Sequence, residues 1–524
     1  AERCTVFMES DLVSYHQQGV ETRDLIAGLC YAVVHNYLNR VVGKRKIGRR
    51  VMFLGGPSLN QGVVSAFEDV LGRGLTVPIH REVLGAYGAA ISVQERMASE
   101  VIRESGFRGL ESVISDRMEY EERVCHADPN CHNECKLKIY DFGGKKTVWG
   151  GDCGRYETSG VRAEPKENLF RLRNDLWEKA MEGLCRELSP GEALHELDGR
   201  PTVGMQRSLY FYQTGVLWAH FFDRLGYRLV ITPPTNGTIS SAGIESVTAE
   251  TCYPVKVSHG HVKELLGRTA HLFLPSIVDM PTPSPSERGF FCPLVQANRY
   301  MLQTALDLGG QSVLHAILHM KQDPGMIALE LADQLSPALG RSRSEIHKAL
   351  RAGIEANEAF AGELMRIGRE RLEAHDPSDP LVIVTGRPYN LYDERLNLRL
   401  GRNLAKIGVP ALPMDFVDVD EVDLSDFPSM YWGLGARILR TAKFIRRHPG
   451  AFGLHITNFS CGADSFVEHF FRYIMGGKPY LILELDEHSA VAGAMTRLEA
   501  FRNVIRNAVE ELNRSLESDR KLSN

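Results

Sequence analysis

Apolar residues recur at helical spacing through residues 22–41, TRDLIAGLCYAVVHNYLNRV, and the basic run KRKIGRR then leads into a short apolar stretch, VMFLGG, that predicts a strand. A helix over SLNQGVVSAFEDVL follows, then a second short strand in LTVPIH. The next helix, VLGAYGAAISVQERM, carries Gly85, Ala86, Gly88 and Ala89, which permit close helix packing. Residues 96–124 read as a charged connector, helical at its ends. Residues 157–200 read as polar and helical, with Cys185 on the apolar face of LWEKAMEGLCREL.

From Thr202 strand and helix patterns alternate clearly. TVGMQRSLY predicts a strand and loop, QTGVLWAHFFDRLG an amphipathic helix, YRLVITPP a strand, and VKVSHGHVKELLG a helix opened by Pro254. HLFLPSIVDM predicts another strand, which runs into the Pro/Ser-rich loop PTPSPSE. Residues 300–375 read as a largely helical spacer, broken near Gly309 and at Pro324. LVIVTGRPYNLYD then opens a second series: helix NLRLGRNLAKIG, strand VPALPMD, helix MYWGLGARILRTAKFIRR, strand GLHITNFSCG, helix SFVEHFFRYIM and strand PYLILELDEHS. The expectation is an α/β fold with parallel sheets covered by helices. Its divisions fall at 1–98, a connector at 99–200, an α/β domain at 201–300, the spacer at 301–375 and a second α/β domain at 376–524.

Composition narrows the class. A chain of 524 residues has room for roughly three to four domains. Lys and Arg number 61 against 66 Asp and Glu, a net charge of -5 that asks for neither nucleic acid nor an anionic membrane. There is no run of about 18 apolar residues and no signal peptide, so the cytoplasm is the expected location. Ten cysteines in a large chain without secretory features argue for thiols or metal ligands over disulfides. The chain begins at Ala1 without Met and reads as the C-terminal part of something longer.

Candidate chemistry lies in three places. Gly55 and Gly56 close the first strand and Asn60 starts the next helix, so a ligand can approach the backbone there and an anion is favoured at the helix N-terminus. An ordinary tight turn fits the same residues. Cys125, Cys131, Cys135 and Cys153 form a C-x5-C-x3-C-x17-C pattern around a hairpin-like KLKIYDFGGKKTVWGG, with His126 and His132 between them. Four soft ligands suit an iron–sulfur cluster or zinc, with unligated thiols as the competing reading. Cys252, Cys292 and Cys461 each follow an apolar run at a strand-to-loop junction, where open α/β sheets gather ligands. Three buried cysteines acting as small hydrophobes would look the same. Lys256, His259 and His261 either hydrogen-bond to such a site or lie solvated on the first turns of a helix. Glu484, Asp486, Glu487 and His488 read as a helix cap and solvated loop, and Cys30 and Cys185 as core residues.

FLGGPSLNQGVVSAFEDVL followed by TVPIHREVLGAYGAA resembles the C-terminal lobe of the actin-like (BadF/BadG-type) ATPases that activate 2-hydroxyacyl-CoA dehydratases and benzoyl-CoA reductases. The resemblance implies that the turn at Gly55 and Gly56 cradles the adenosine of ATP, with Asn60 beside it. RCTVFMESD fits the same family and sets Cys4 where each subunit gives one of two ligands to a [4Fe-4S] cluster shared across a dimer. The family's phosphate-binding loops and its other cluster cysteine have no counterpart here, so this chain alone is not expected to hydrolyse ATP.

ETCYPVKVSHGH, CPLVQ, GRPYNLYD, MYWGLG, NFSCGADSF and ELDEHSAVAGAMTRLEAF resemble the fused C-terminal region of the large acyl-CoA dehydratase activases, which is related to dehydratase subunits and double-cubane cluster proteins. That implies two flavodoxin-like domains in which Cys252, Cys292 and Cys461 hold a [4Fe-4S] cubane or half of a double cubane. The function expected is the iron–sulfur component of an ATP-dependent, low-potential electron-transfer system. It would activate an acyl-CoA dehydratase or reductase, or reduce a small substrate itself. The partners implied are a second copy of the chain, the dehydratase or reductase, and a low-potential electron donor. The alternative is a zinc-stapled scaffold without redox activity. No catalytic residue is assigned.

Overall fold

The computed structural model describes residues 15, 16, 18–42, 45–99, 109–111, 119–127, 135–142, 145–151, 156, 164–376 and 378–522. They fall into two compact units, Ala1–Arg117 and Met118–Asn524. In the first unit α1 (Thr22–Asn36) continues as a π-helical turn over Tyr37–Val42, and α2 (Gln61–Leu71) and α3 (Leu84–Ala98) follow. Cys30 and Val34 of α1 pack on Val63, Ala66 and Phe67 of α2. The two strands expected in VMFLGG and LTVPIH shrink to a single parallel bridge, Met52↔Thr76, because an isolated pair of short strands is marginal in water. The close packing expected of α3 is not formed among the described residues. None of its residues is buried, and a Cβ on Gly85 or Gly88 would meet nothing within 4 Å.

The second unit opens with an antiparallel sheet, β1 (Tyr120–Val124), β2 (Lys136–Phe142) and β3 (Lys145–Trp149). The hairpin is as expected, but the far end of the connector is strand β1 and not helix, paired to β2 with Tyr120 opposite Tyr140. Next come α4 (Leu169–Ala180), β4 (Cys185–Glu187), β5 (Glu196–Leu197), β6 (Arg200–Met205), α5 (Phe211–Arg224), β7 (Arg228–Ile231), α6 (Gly237–Ser246) and α7 (Tyr253–Leu265). The helix of LWEKAMEGLCREL ends early, and Cys185 lies in β4, not on a helix face. Then follow β8 (His271–Phe273), β9 (Ser276–Asp279), α8 (Pro293–Gln296), α9 (Asn298–Ala305), β10 (Ser312–Leu314), β11 (Ile317–His319), α10 (Pro324–Leu339) and α11 (Arg343–Glu373).

The first main sheet runs β10-β8-β6-β7-β4, all parallel, with β5 antiparallel beside β6; β11 and β9 form a separate parallel pair. HLFLPSIVDM thus makes two strands, divided at Leu274 and Pro275, since proline cannot donate to a ladder. Residues 300–375 are largely helical, and they also supply β10 and β11. The last elements are β12 (Leu381–Gly386), α12 (Pro388–Tyr392), α13 (Leu400–Lys406), β13 (Ala411–Pro413), α14 (Gly433–Arg447), β14 (Ala451–Asn458), α15 (Gly462–Met475), β15 (Tyr480–Leu485) and α16 (Val491–Leu522). Their sheet, β13-β12-β14-β15, is wholly parallel. Every residue of β12 and β14 is buried, as strands covered on both faces must be. No helix among the described residues is long and apolar enough to cross a membrane.

Two features lock the segments that lead to the strand ends. Helices α6 and α7 cross so closely that a Cβ on Gly260 would sit 1.9 Å from the Ile239 carbonyl oxygen, and one on Gly243 would sit 2.3 Å from that of Lys256. His261, one residue further along α7, is fully buried. Its Nδ1 lies 2.6 Å from Thr232 Oγ1 and its Nε2 lies 2.9 Å from Thr235 Oγ1. Thr235 donates to Asp393, just after α12, at 2.5 Å, and Tyr212 donates to the same carboxyl oxygen at 3.2 Å. This chain of hydrogen bonds ties the loop after β7 to the segment that follows β12.

Burial, with a smaller push from Arg207, drives His261 down from 6.5 to about 3. Between those values the unfolded chain binds a proton that the folded chain refuses, so stability falls as pH drops from about 6.5 towards 3. Denaturation midpoints measured across that window are expected to decline, and His261→Gln to flatten the decline by on the order of a few kcal/mol. An unchanged slope in the variant would remove His261 as its cause. Gly260→Ala is expected to cost about 1–3 kcal/mol by overpacking. Gly362→Ala, whose Cβ meets nothing within 4 Å, serves as the control and should be neutral or stabilising.

Candidate functional site

Cys252, Cys292 and Cys461 each stand at the N-cap of a helix, α7, α8 and α15 in turn. The local sequence explains why. Pro254 and Pro293 occupy the first turn, where a missing N–H costs nothing. A residue before proline is held extended, and Cys292 is so, with φ -56° and ψ 136°. Cys461 comes after β14 through Ser460, which takes the left-handed conformation at φ 63°, and its carbonyl accepts from the Ser465 N–H at 3.1 Å. The Cys252 and Cys461 thiols draw on the Val255 and Asp464 N–H groups of their own helices, which favours ionisation, though neither is placed for a full capping hydrogen bond.

Far apart in sequence, the three are brought within electrostatic reach of one another. The field of Cys292 acts on the Cys252 thiol and that of Cys252 on the Cys461 thiol. Tyr389, buried on α12, feels all three. Burial, with Cys292 adding to it, pushes the Cys252 thiol up to about 11. Burial and then the Asp464 carboxylate raise the Cys461 thiol well above its usual range. Both thiols therefore hold their protons at neutral pH unless a metal displaces them. Cys252 and Cys461 are buried and Cys292 is half-buried. Among the described residues, no three His, Cys, Asp or Glu side chains are grouped so as to hold a single metal ion.

Arg387 closes β12 and caps α12, with 2% of its surface exposed. Its Nη2 donates to Asp464 Oδ1 at 2.8 Å, and Thr457 donates to Asp464 Oδ2 at 2.7 Å. Asp464 lies in the first turn of the helix that Cys461 caps. Burial alone would raise its pKa, but Arg387, His455 and Thr457 outweigh that and lower it.

The solvated reading of Lys256, His259 and His261 is overturned. All three are buried, because the small residues of α6 let that helix cover α7. Lys256 Nζ meets Glu250 at 2.5 Å and Glu487 at 2.6 Å. Burial opposes its charge, but the two carboxylates prevail and raise its pKa. His259 Nδ1 hydrogen-bonds the Val255 carbonyl at 2.8 Å. Glu487, placed above in a solvated loop, has only 8% of its side chain exposed.

The four-cysteine loop is seen in part. Cys125 N–H donates to the Cys135 carbonyl at 2.9 Å where β1 and β2 meet, and Cys125 Sγ lies 3.4 Å from the Tyr156 hydroxyl. Cys131, Cys153 and Cys4 lie outside the described residues. In the first unit Gly55 takes φ 87° and Gly56 begins a 3-10 turn, while the Asn60 side chain accepts from the Gly62 and Val63 N–H groups as the cap of α2. A separate cleft of about 410 Å³, lined by Arg369, Leu372, His375, Phe416, Phe444 and His448 among others, also touches Leu381 and Ala451, at the starts of β12 and β14 and away from the thiols.

Sequence reasoning missed Arg387, Tyr389, Asp464 and Glu250. GRPYN at the end of the largely apolar strand LVIVTG, and an Asp three residues beyond Cys461, were the available signals.

Residues 202–417 match the model of a family described as CoA enzyme activase uncharacterised domain (DUF2229). That range holds Cys252, Cys292 and Arg387; Cys461 lies beyond it. Over 88 residues the chain is 31% identical to the 2-hydroxyisocaproyl-CoA dehydratase activator of Clostridioides difficile, an alignment that covers 17% of this chain and 33% of the activator. Over 98 residues it is 34% identical to the (R)-2-hydroxyglutaryl-CoA dehydratase activating ATPase of Acidaminococcus fermentans, covering 18% and 36%. An uncharacterised protein of Methanocaldococcus jannaschii is 34% identical over 88 residues, covering 17% and 21%. The chain thus spans about a fifth to just over a third of the length of these curated relatives. In sequence, parts of the chain are similar to a CoA enzyme activase domain and to activators of 2-hydroxyacyl-CoA dehydratases.

Proposed function

We propose that this chain is the iron–sulfur part of an ATP-dependent, low-potential electron-transfer system that activates an acyl-CoA dehydratase or reductase, or reduces a small substrate itself. The observation that carries the reading is the gathering of Cys252, Cys292 and Cys461 at three helix N-termini around Arg387 and Tyr389. These three would hold a [4Fe-4S] or double-cubane cluster. When bound, such a cluster supplies one-electron chemistry at low potential and an iron without a protein ligand.

The donor set suits it. Three soft thiols are the ligand type of an iron–sulfur cluster, in which each binds a different iron. The N-terminal ends of α7 and α15 favour the thiolate form, and the burial of Cys252 and Cys461 keeps water away from it. Lys256, joined to Glu250 and Glu487, fastens the loop after β15 to the first turns of α7.

The remaining parts follow the family resemblance drawn from the sequence motifs. Residues 1–98 would be the C-terminal lobe of an actin-like ATPase, with Gly55 and Gly56 facing ATP and Asn60 shaping their turn. Cys4 would share a cluster with a second copy of the chain. The regions 201–300 and 376–524 would be two flavodoxin-like domains around the thiols, in a cytoplasmic protein that takes electrons from a low-potential donor.

A second reading has its own support. The meeting of Cys125 with Cys135 at one end of a small antiparallel sheet is an arrangement that a structural zinc, completed by Cys131 and Cys153, would use. In that case the chain is a zinc-stapled scaffold.

Iron, acid-labile sulfide and zinc per chain distinguish the readings, measured on anaerobically purified protein and on a Cys252→Ala, Cys292→Ala, Cys461→Ala triple variant. Iron and sulfide are expected in the parent and largely lost in the variant. Zinc alone, equal in both proteins, would leave the scaffold and end the redox reading.

A further inference from the structure

Arg387 has a polar group that no partner among the described residues satisfies. Its Nη2 is committed to Asp464, while its Nε is shielded from solvent without a hydrogen-bond partner. A buried N–H with no acceptor is costly. Arg387 stands where β12 ends and, through Asp464, is tied to the first turn of the helix that Cys461 caps. Lys256, a buried cation on α7, is already held by Glu250 and Glu487.

The orientation of the guanidinium is also fixed. Asp464 is fully buried, takes a second hydrogen bond from Thr457 on β14, and sits on the helix that begins at Cys461. The pair therefore joins the end of β12 to the first turn of α15.

The geometry points to Arg387 as the hydrogen-bond donor and counter-charge to the sulfur-rich group held by Cys252, Cys292 and Cys461, with Asp464 as the positioning residue that aims it. This rests on the iron–sulfur reading above. Hydrogen bonds to cluster and thiolate sulfurs, together with net charge, set reduction potential. A donor and a positive charge both stabilise the more negative, reduced state, so Arg387 raises the potential.

The test is an anaerobic redox titration of the reconstituted full chain, followed by electron paramagnetic resonance, on the parent, Arg387→Met, Arg387→Lys and the double variant Arg387→Met/Asp464→Asn. In Arg387→Met the reduced-to-oxidised ratio at a fixed potential is expected to fall at least tenfold, a shift of about 59 mV for one electron. Arg387→Lys keeps the charge without the Nε–H and should fall between. The double variant removes both charges, so it leaves no buried carboxylate unpaired and no change in net charge. A lower potential there isolates the lost hydrogen bond, and this variant carries the test if Arg387→Met does not fold. A cluster of parental iron and sulfide content whose potential is unchanged in all three variants overturns the role of Arg387. A parent chain that takes up no iron and sulfide overturns the iron–sulfur reading instead, and this inference with it.

Discussion

The ion pair between Arg387 and Asp464 is the constraint on which the site depends. Both side chains are almost fully out of water, where an isolated charge is expensive and breaking one half of a pair costs about 3–5 kcal/mol. Neither partner can turn away without stranding the other. Because Arg387 ends β12 and Asp464 begins α15, the pair fixes the two adjoining strand ends of the second sheet, and with them the position of Cys461. On the other side, the Gly243/Gly260 crossing and the His261–Thr235–Asp393 chain hold α7. Cys252 is placed by packing and hydrogen bonds, Cys461 by charge.

Placing thiols at N-caps has a chemical consequence. The usual N-cap side chain spends an oxygen on the helix's unsatisfied N–H groups. Cysteine does so poorly, and the Cys252 and Cys461 thiols draw only weakly on the Val255 and Asp464 N–H groups. The helix ends therefore keep their partial positive charge. Protonated and buried, the Cys252 and Cys461 thiols resist ionisation; once a metal takes the protons, the same helix ends and Arg387 stabilise the resulting negative charge. Burial and helix termini thus act in opposite directions on the free thiol and together on a bound one.

The alternation of apolar strands and amphipathic helices made most of the second unit legible. β12, β14, α14 and α15 arise where their periodicity places them, since strands covered on both faces and helices covered on one leave strong patterns. α6 left none. TNGTISSAGIES is too small and polar to show a face, and its role depends on a glycine-to-backbone crossing visible only in three dimensions. The strand β1 and the position of Cys185 in β4 were hidden for a related reason: short edge segments take their state from the neighbour they pair with, not from their own propensity.

The charged residues of the site were the least legible, and the reason lies in how burial is decided. Lys256 sits in VKVSHGHVKEL, whose polar residues outnumber what an apolar stripe would show, so sequence alone assigns it to solvent. Its burial is set by Glu487, more than two hundred residues away, which removes the cost of desolvating the ammonium by joining it. Arg387 is buried in the same way by Asp464. Pairs of this kind carry no periodic signal, because each member is favourable inside only when the other is present. What the sequence does offer is the neighbourhood: both basic residues lie within a few positions of a helix start. A basic residue next to a helix start at a parallel strand's carboxyl end therefore deserves to be paired with a distant acid before it is assigned to the surface, and at this site that rule recovers Arg387 from GRPYN and Asp464 from CGAD.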